Sequence, residues 1–146
     1  MRLWHIDLIP YLPRQQLITQ WRELNSIFAK QDNHILINYI YKYDKRPLLN
    51  YTQAVMREIL NRGYNINSMN NYRLYFKDVQ SFGTERFKEH DFEYLTMCFW
   101  NLKEKFIRGQ KDFTLEQFDK ILDFYKEQDY LRRQVVWKEK TNEQKS

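Results

Sequence analysis

At 146 residues the chain has the length of one ordinary domain, long enough to bury a sizeable core without a disulfide or metal staple. Its 42% hydrophobic content is spread so that no stretch reaches the roughly eighteen apolar residues a membrane helix needs. The 24 Lys and Arg against 19 acidic residues give a net charge of +5, and 17% of residues are aromatic, a balance that suits nucleic acid or simply a basic soluble domain with an aromatic core.

The opening residues begin basic, but Asp7 and Pro10 interrupt any apolar run of the kind a signal peptide requires. The only cysteine, Cys98, lies on an apolar helical stripe. It reads as a small buried hydrophobe in a reducing, cytoplasmic compartment.

Three glycines and three prolines leave the chain little punctuated, so a mainly α fold of about four main helices is expected. From Pro13 to Lys30, Leu17, Trp21, Leu24 and Phe28 recur at i, i+4, i+7 and i+11 and share one helical face. Pro13 suits the first turn. Outside that stripe, Gln15, Thr19 and Arg22 form one row, and Gln16, Gln20 and Glu23 form the next.

From His34 to Tyr43, Ile35, Ile37, Tyr39, Tyr41 and Tyr43 alternate with the other face, a period-two pattern that predicts extended chain packed on helices. A second helix is expected from about Pro47 to Arg62, with Leu48, Thr52, Val55 and Ile59 on its stripe and Gly63 as its left-handed cap. Tyr64 to Glu89 is polar and asparagine-rich and reads as a long connection with room for a short helix.

A third helix from about Asp91 to Arg108 aligns Leu95, Phe99, Leu102 and Phe106 and stops at Gly109. The fourth starts at a capping box, Thr114 with Gln117, flanked by the staple pair Phe113 and Phe118. It should bury Phe118, Ile121, Leu122 and Tyr125 and run to about Arg133. The expected organisation is one helical domain over residues 1–137 and a polar, disordered tail over 138–146, where no apolar residue occurs.

Familiar catalytic motifs are missing: no glycine-rich phosphate loop, no cysteine pair for zinc and no nucleophile elbow. His5, His34 and His90 are far apart and read as surface or packed histidines rather than a metal site. On the first helix, Glu23 beside Arg22 and the amides of Gln15, Gln16 and Gln20 could work on a charged substrate. An Arg-Glu pair on a helix is more commonly plain solvated surface.

At this helix Gln15, Leu17, Arg22-Glu23-Leu24 and Phe28 resemble, without a gap, the first helix of the pyrimidine dimer DNA glycosylase family, called endonuclease V in its phage member. Met1-Arg2-Leu3-Trp4-His5 and Leu12-Pro13-Arg14-Gln15-Gln16-Leu17 look like the bacterial branch of that family. Arg62-Gly63-Tyr64-Asn65-Ile66 resembles the block that ends its second helix, and Leu102, Glu104 and Lys105 resemble a Leu-x-Glu-Lys on a later one.

The resemblance implies a compact helical enzyme that cuts damaged double-stranded DNA, pyrimidine dimers among the candidate lesions, by a combined glycosylase and abasic-site lyase reaction. The implied nucleophile is the N-terminal α-amine, here that of Met1 because bulky Arg2 should prevent removal of the methionine. Glu23 maps onto the catalytic glutamate, Arg22 onto a phosphate-gripping arginine, and Arg2, Gln15 and Lys105 onto DNA contacts.

The chemistry suits an α-amine, whose ordinary pKa near 8 leaves about a tenth neutral at pH 7, a few hundred times the neutral fraction of an ordinary lysine. A twelve-residue arm of up to about 40 Å can return to Glu23, about 15 Å along the helix from Pro13. No metal or organic cofactor is implied. The alternative reading of the same residues is a non-catalytic basic helical module that binds DNA or a protein partner.

Overall fold

The computed structural model describes residues 1–31 and 33–145, the side chains of 144 and 145 excepted. Five α-helices are joined by turns and two 3-10 helices, and no strand occurs among the described residues. The chain divides into two compact units, Met1–Asp91 and the chain from Phe92 onward, where the sequence reads as one domain. A boundary here carries no Pro/Gly linker to betray it: the break falls immediately before the first residue of a helix.

The first unit begins with an arm that has no regular structure up to His5, followed by a 3-10 helix, Ile6–Tyr11. Helix α1 (Arg14–Ala29) then starts directly after Pro13, whose fixed φ is compatible with a helix start. Leu17, Leu24, Ile27 and Phe28 bury on its inner face, whereas Trp21 is only half-buried. Helix α2 (Arg46–Asn61) buries Leu48, Tyr51, Thr52, Val55 and Ile59, all but Tyr51 on the expected stripe.

The segment 34–43 is not extended. It makes a turn and then a 3-10 helix, Asn38–Lys42. The alternation of Ile and Tyr hides a second period: Ile37 and Ile40, three apart as 3-10 geometry requires, are buried, while Ile35 is 82% exposed. With no strand to pair, turn hydrogen bonds satisfy the backbone, Ile40 N–H donating to Ile37 C=O at 3.1 Å.

Helix α2 ends at Arg62 and Gly63. Gly63 has φ +83°, Tyr64 N–H donates to Ile59 C=O at 3.1 Å and Gly63 N–H to Leu60 C=O at 2.9 Å, the paired bonds of a Schellman cap. The Arg62 guanidinium donates to Glu58 Oε1 at 2.8 Å and to the Pro10 carbonyl at 3.2 Å, tying the end of α2 to the first 3-10 helix. The connection that follows carries α3 (Asn70–Tyr75), where Tyr75 stacks on Phe28 at 5.2 Å.

In the second unit, α4 (Phe92–Ile107) and α5 (Leu115–Lys145) pack antiparallel through a ladder of rings. Phe99 lies flat on Tyr125 with centroids 4.3 Å apart, and Phe106 lies on Phe118 at 4.7 Å. Leu95, Cys98, Leu102 and Ile121 fill the remaining core. The capping box forms as expected: Gln117 N–H donates to Thr114 Oγ1 at 3.2 Å, and Thr114 N–H donates to Gln117 Oε1 at 2.9 Å.

Helix α5 does not stop near Arg133. It continues through 138–145, where the sequence suggests a disordered tail; Ser146 lies outside the described residues. The segment lacks apolar residues but also lacks Gly and Pro, and its Lys, Glu and Gln are good helix formers. Replacing Thr114 by Ala removes one half of the box and should lower stability by about 1 kcal/mol in urea unfolding, with no change in the slope of the transition.

Candidate active site

Leu3, Trp4 and His5 of the N-terminal arm are buried, so the peptide groups around them need partners. Leu3 and Trp4 are 0% and 8% exposed, and side chains supply those partners. Gln20, one turn before Glu23 on α1, accepts from Trp4 N–H through Oε1 at 2.9 Å and donates from Nε2 to the Arg2 carbonyl at 3.0 Å. The Tyr51 hydroxyl, from α2, lies 2.7 Å from the Trp4 carbonyl and 2.9 Å from Gln20 Oε1, with one proton to serve both acceptors.

A little further along, Ile6 N–H donates to His90 Nδ1 at 3.2 Å. That bond leaves Nδ1 without a proton, so in the neutral ring Nε2 carries the hydrogen and donates to the Tyr39 hydroxyl at 2.8 Å. His5 stacks on His90 with centroids 5.5 Å apart, and its own Nδ1 accepts from Asp7 N–H at 3.1 Å. Asp7 in turn pairs with Arg86 at 2.8 Å.

These bonds bring the arm to Glu23. Gln20 Nε2, which holds the Arg2 carbonyl, also donates to Glu23 Oε2 at 3.2 Å, and the Arg2 backbone and the N-terminal ammonium both act on the Glu23 carboxylate. Met1 is joined directly to the Arg2 unit that Gln20 holds, and its ammonium is close enough to act on the Glu23 carboxylate by charge. Amine and carboxylate are therefore neighbours in space, although 22 positions separate them in sequence.

Glu23 is half-buried, and this burial raises its pKa above the usual carboxylate value. The positive N-terminal ammonium, the Arg2 backbone and the field of His34 pull it back down. A carboxylate so balanced can hold a proton or release one within a modest pH range.

The expected site residues fall as follows. Met1, Arg2 and Glu23 come together, and Arg2 Nη1 is buried with no hydrogen-bond partner. Gln15 and Arg22 are exposed on α1, while Lys105 belongs to the second unit, half-buried on α4. No set of three or more His, Cys, Asp or Glu side chains is arranged to hold a metal among the described residues, and no helix there is long and apolar enough to cross a membrane.

Sequence reasoning assigned nothing to Tyr51, read His90 as a surface or packed histidine, and placed Gln20 only in the row of amides beside Glu23. Tyr51 lies three residues after Leu48 and four before Val55, so its place on the inner stripe of α2 was readable. Gln20 offered only its spacing, three residues before Glu23. Nothing local marks His90, whose partners Ile6 and Tyr39 are 84 and 51 positions away.

The first unit thus folds its own N-terminus toward the half-buried Glu23. Residues 1–71, just under half of the chain, match the sequence model of the family described as pyrimidine dimer DNA glycosylase. The matched stretch contains the arm, α1, α2 and the Schellman cap. Comparison with curated proteins and with solved structures gives no match.

The His90 contacts set a pH dependence. Burial above all, then the charges of His5 and Arg86, lowers His90 from 6.5 to about 3. The unfolded chain therefore takes up this proton first as pH falls: the stabilisation is complete above pH 6.5 and is lost progressively toward pH 3. Between those limits the His90 contribution should change by about 1.4 kcal/mol per pH unit. In urea titrations from pH 4 to 7, His90→Gln, which keeps an acceptor for Ile6 and a donor for Tyr39, should show a flatter profile than the parent. Parallel profiles would contradict the assignment.

Proposed function

We propose that the protein is a DNA repair glycosylase with abasic-site lyase activity, its nucleophile the Met1 α-amine and its acid–base group Glu23. One observation carries the reading: the Gln20 amide bonds both the Arg2 carbonyl and the half-buried Glu23 carboxylate, on which the N-terminal ammonium acts, inside the stretch that matches the glycosylase family.

In this mechanism the neutral amine attacks C1′ of the damaged nucleotide and the C1′–N glycosidic bond breaks, the departing base taking the electron pair. The new aminal loses its N–H proton as the C1′–O4′ bond opens, giving a protonated imine. Glu23 holds the oxocarbenium-like charge during attack and moves protons as the ring opens. Removal of a C2′ proton then expels the 3′ phosphate and cuts the strand. Water releases the sugar fragment from the amine.

The substrate in this reading is damaged double-stranded DNA, with pyrimidine dimers as the first lesion to test because of the family match. Arg2 and exposed Arg22 are assigned to phosphates, Gln15 and Lys105 to further DNA contacts. The net charge of +5 favours such contacts. They would offset the few kcal/mol needed to draw a nucleotide out of the stack. Cys98, at 0% exposure, is consistent with the reducing cytoplasm where such DNA would be met.

Untagged protein incubated with an abasic duplex and borohydride should give a covalent adduct that mass spectrometry maps to the Met1 nitrogen. Glu23→Gln should slow trapping and strand cleavage by about 10²- to 10⁴-fold while DNA binding stays within a few-fold of the parent. Binding without any adduct would remove the lyase reading and leave the non-catalytic binding module. Arg22→Ala should weaken binding on every sequence alike and reduce the log–log salt slope by about 1.

A further inference from the structure

Gln20 is 1% exposed, and its amide reaches four groups. Oε1 accepts from Trp4 N–H and faces the Tyr51 hydroxyl, both at 2.9 Å; Nε2 donates to the Arg2 carbonyl at 3.0 Å and to Glu23 Oε2 at 3.2 Å. These are all the hydrogen bonds an amide of this kind normally makes. Three of them go to the arm that bears the amine or to the carboxylate beside it. The fourth goes to Tyr51, which also touches the Trp4 carbonyl at 2.7 Å.

We propose that Gln20, seated by Tyr51, is a positioning residue that sets the register between the N-terminal amine and the Glu23 carboxylate. Burial of Leu3 and Trp4 would by itself keep the arm on the protein, since apolar contact is not directional. It would not fix the arm to a fraction of an ångström. Hydrogen bonds to residues 2 and 4 do so, because they grip the peptide groups on either side of Leu3. The Arg2 unit that Gln20 holds by its carbonyl is joined directly to Met1, and the same amide nitrogen donates to Glu23.

Gln20 can reach neither a substrate nor solvent in this arrangement, so it acts through Met1 and Glu23 and not on DNA. The catalytic consequence rests on the lyase reading above, whereas the geometric claim stands apart from it. In the lyase, a misplacement of about 1 Å between reacting groups costs on the order of 10²-fold. Gln20→Ala should therefore slow imine formation at saturating DNA by about that factor and leave KM nearly unchanged.

The test uses two readouts on the full chain. Carboxyl carbon NMR follows the Glu23 titration in protein with a free and with an acetylated Met1 amine. Groups known to act on Glu23 are the N-terminal ammonium and His34, so acetylation removes one and keeps the other. In the parent, acetylation should move the Glu23 midpoint upward; in Gln20→Ala that movement should fall by about half or more as the amine drifts away. Tyr51→Phe, which keeps the ring, provides the same comparison if Gln20→Ala does not fold.

Unchanged coupling in both variants would overturn the proposal, as would wild-type single-turnover trapping by Gln20→Ala. Reduced coupling in the variants with no trapping by the parent would uphold the positioning role and reject the lyase reading. Reduced coupling together with slowed trapping would support both.

Discussion

A peptide group that is buried without a partner in a helix or sheet must find one elsewhere, and in the N-terminal arm the Arg2 carbonyl, both peptide groups of Trp4 and the Ile6 N–H find theirs in side chains. Gln20 and Tyr51 take the backbone of Arg2 and Trp4, and His90 takes that of Ile6. Each of these side chains is itself nearly or fully buried. Losing one would leave a backbone group unpaired in an apolar setting, at about 1–3 kcal/mol. The position of the N-terminus follows from this, and so does whatever chemistry an amine beside Glu23 can do.

The three anchors come from distant parts of the first unit: α1, α2 and the end of the long connection. Helix α1 contributes the carboxylate and the amide from adjacent turns of one face. Helix α2 is held in turn by Arg62, which reaches back to the Pro10 carbonyl, so the arm and the helix that clamps it are joined at both ends. His90 has to be neutral to accept from Ile6, and its burial, with His5 and Arg86 nearby, keeps it neutral well below its ordinary range. The same burial that makes the site rigid thus makes the unit sensitive to acid.

Periodicity in the sequence was a good guide wherever one face of a helix is simply apolar. Leu17, Leu24 and Phe28, Leu48, Val55 and Ile59, and Leu95, Phe99 and Leu102 all bury as their spacing requires. Gly63, Gly109 and the Thr114–Gln117 box mark helix ends because their backbone roles are local. Where two periods fit one segment, as in Ile35 to Tyr43, spacing favoured the wrong one. The resolution came from packing, which buries Ile37 and Ile40 and leaves Ile35 in solvent. The run of α5 past Arg133 was missed because burial was used as the criterion for helix, whereas backbone propensity alone suffices there.

For the candidate site, Glu23 stands out in the sequence as a carboxylate bordered by Arg22 and amides, whereas Met1 and Arg2 enter only through resemblance to a family. The side chains that bring them together were not legible, because nothing in a linear pattern links Gln20 to Trp4 or His90 to Ile6. Polar residues that serve backbone groups of another segment leave no periodic trace. The most direct test of the account is a crystal structure of the borohydride-reduced complex with an abasic duplex. The sugar C1′ should be bonded to the Met1 nitrogen, with a Glu23 oxygen within hydrogen-bond reach of it and the Arg2 peptide still held by Gln20. A bond to a lysine side chain, or an arm lifted away from α1, would contradict it.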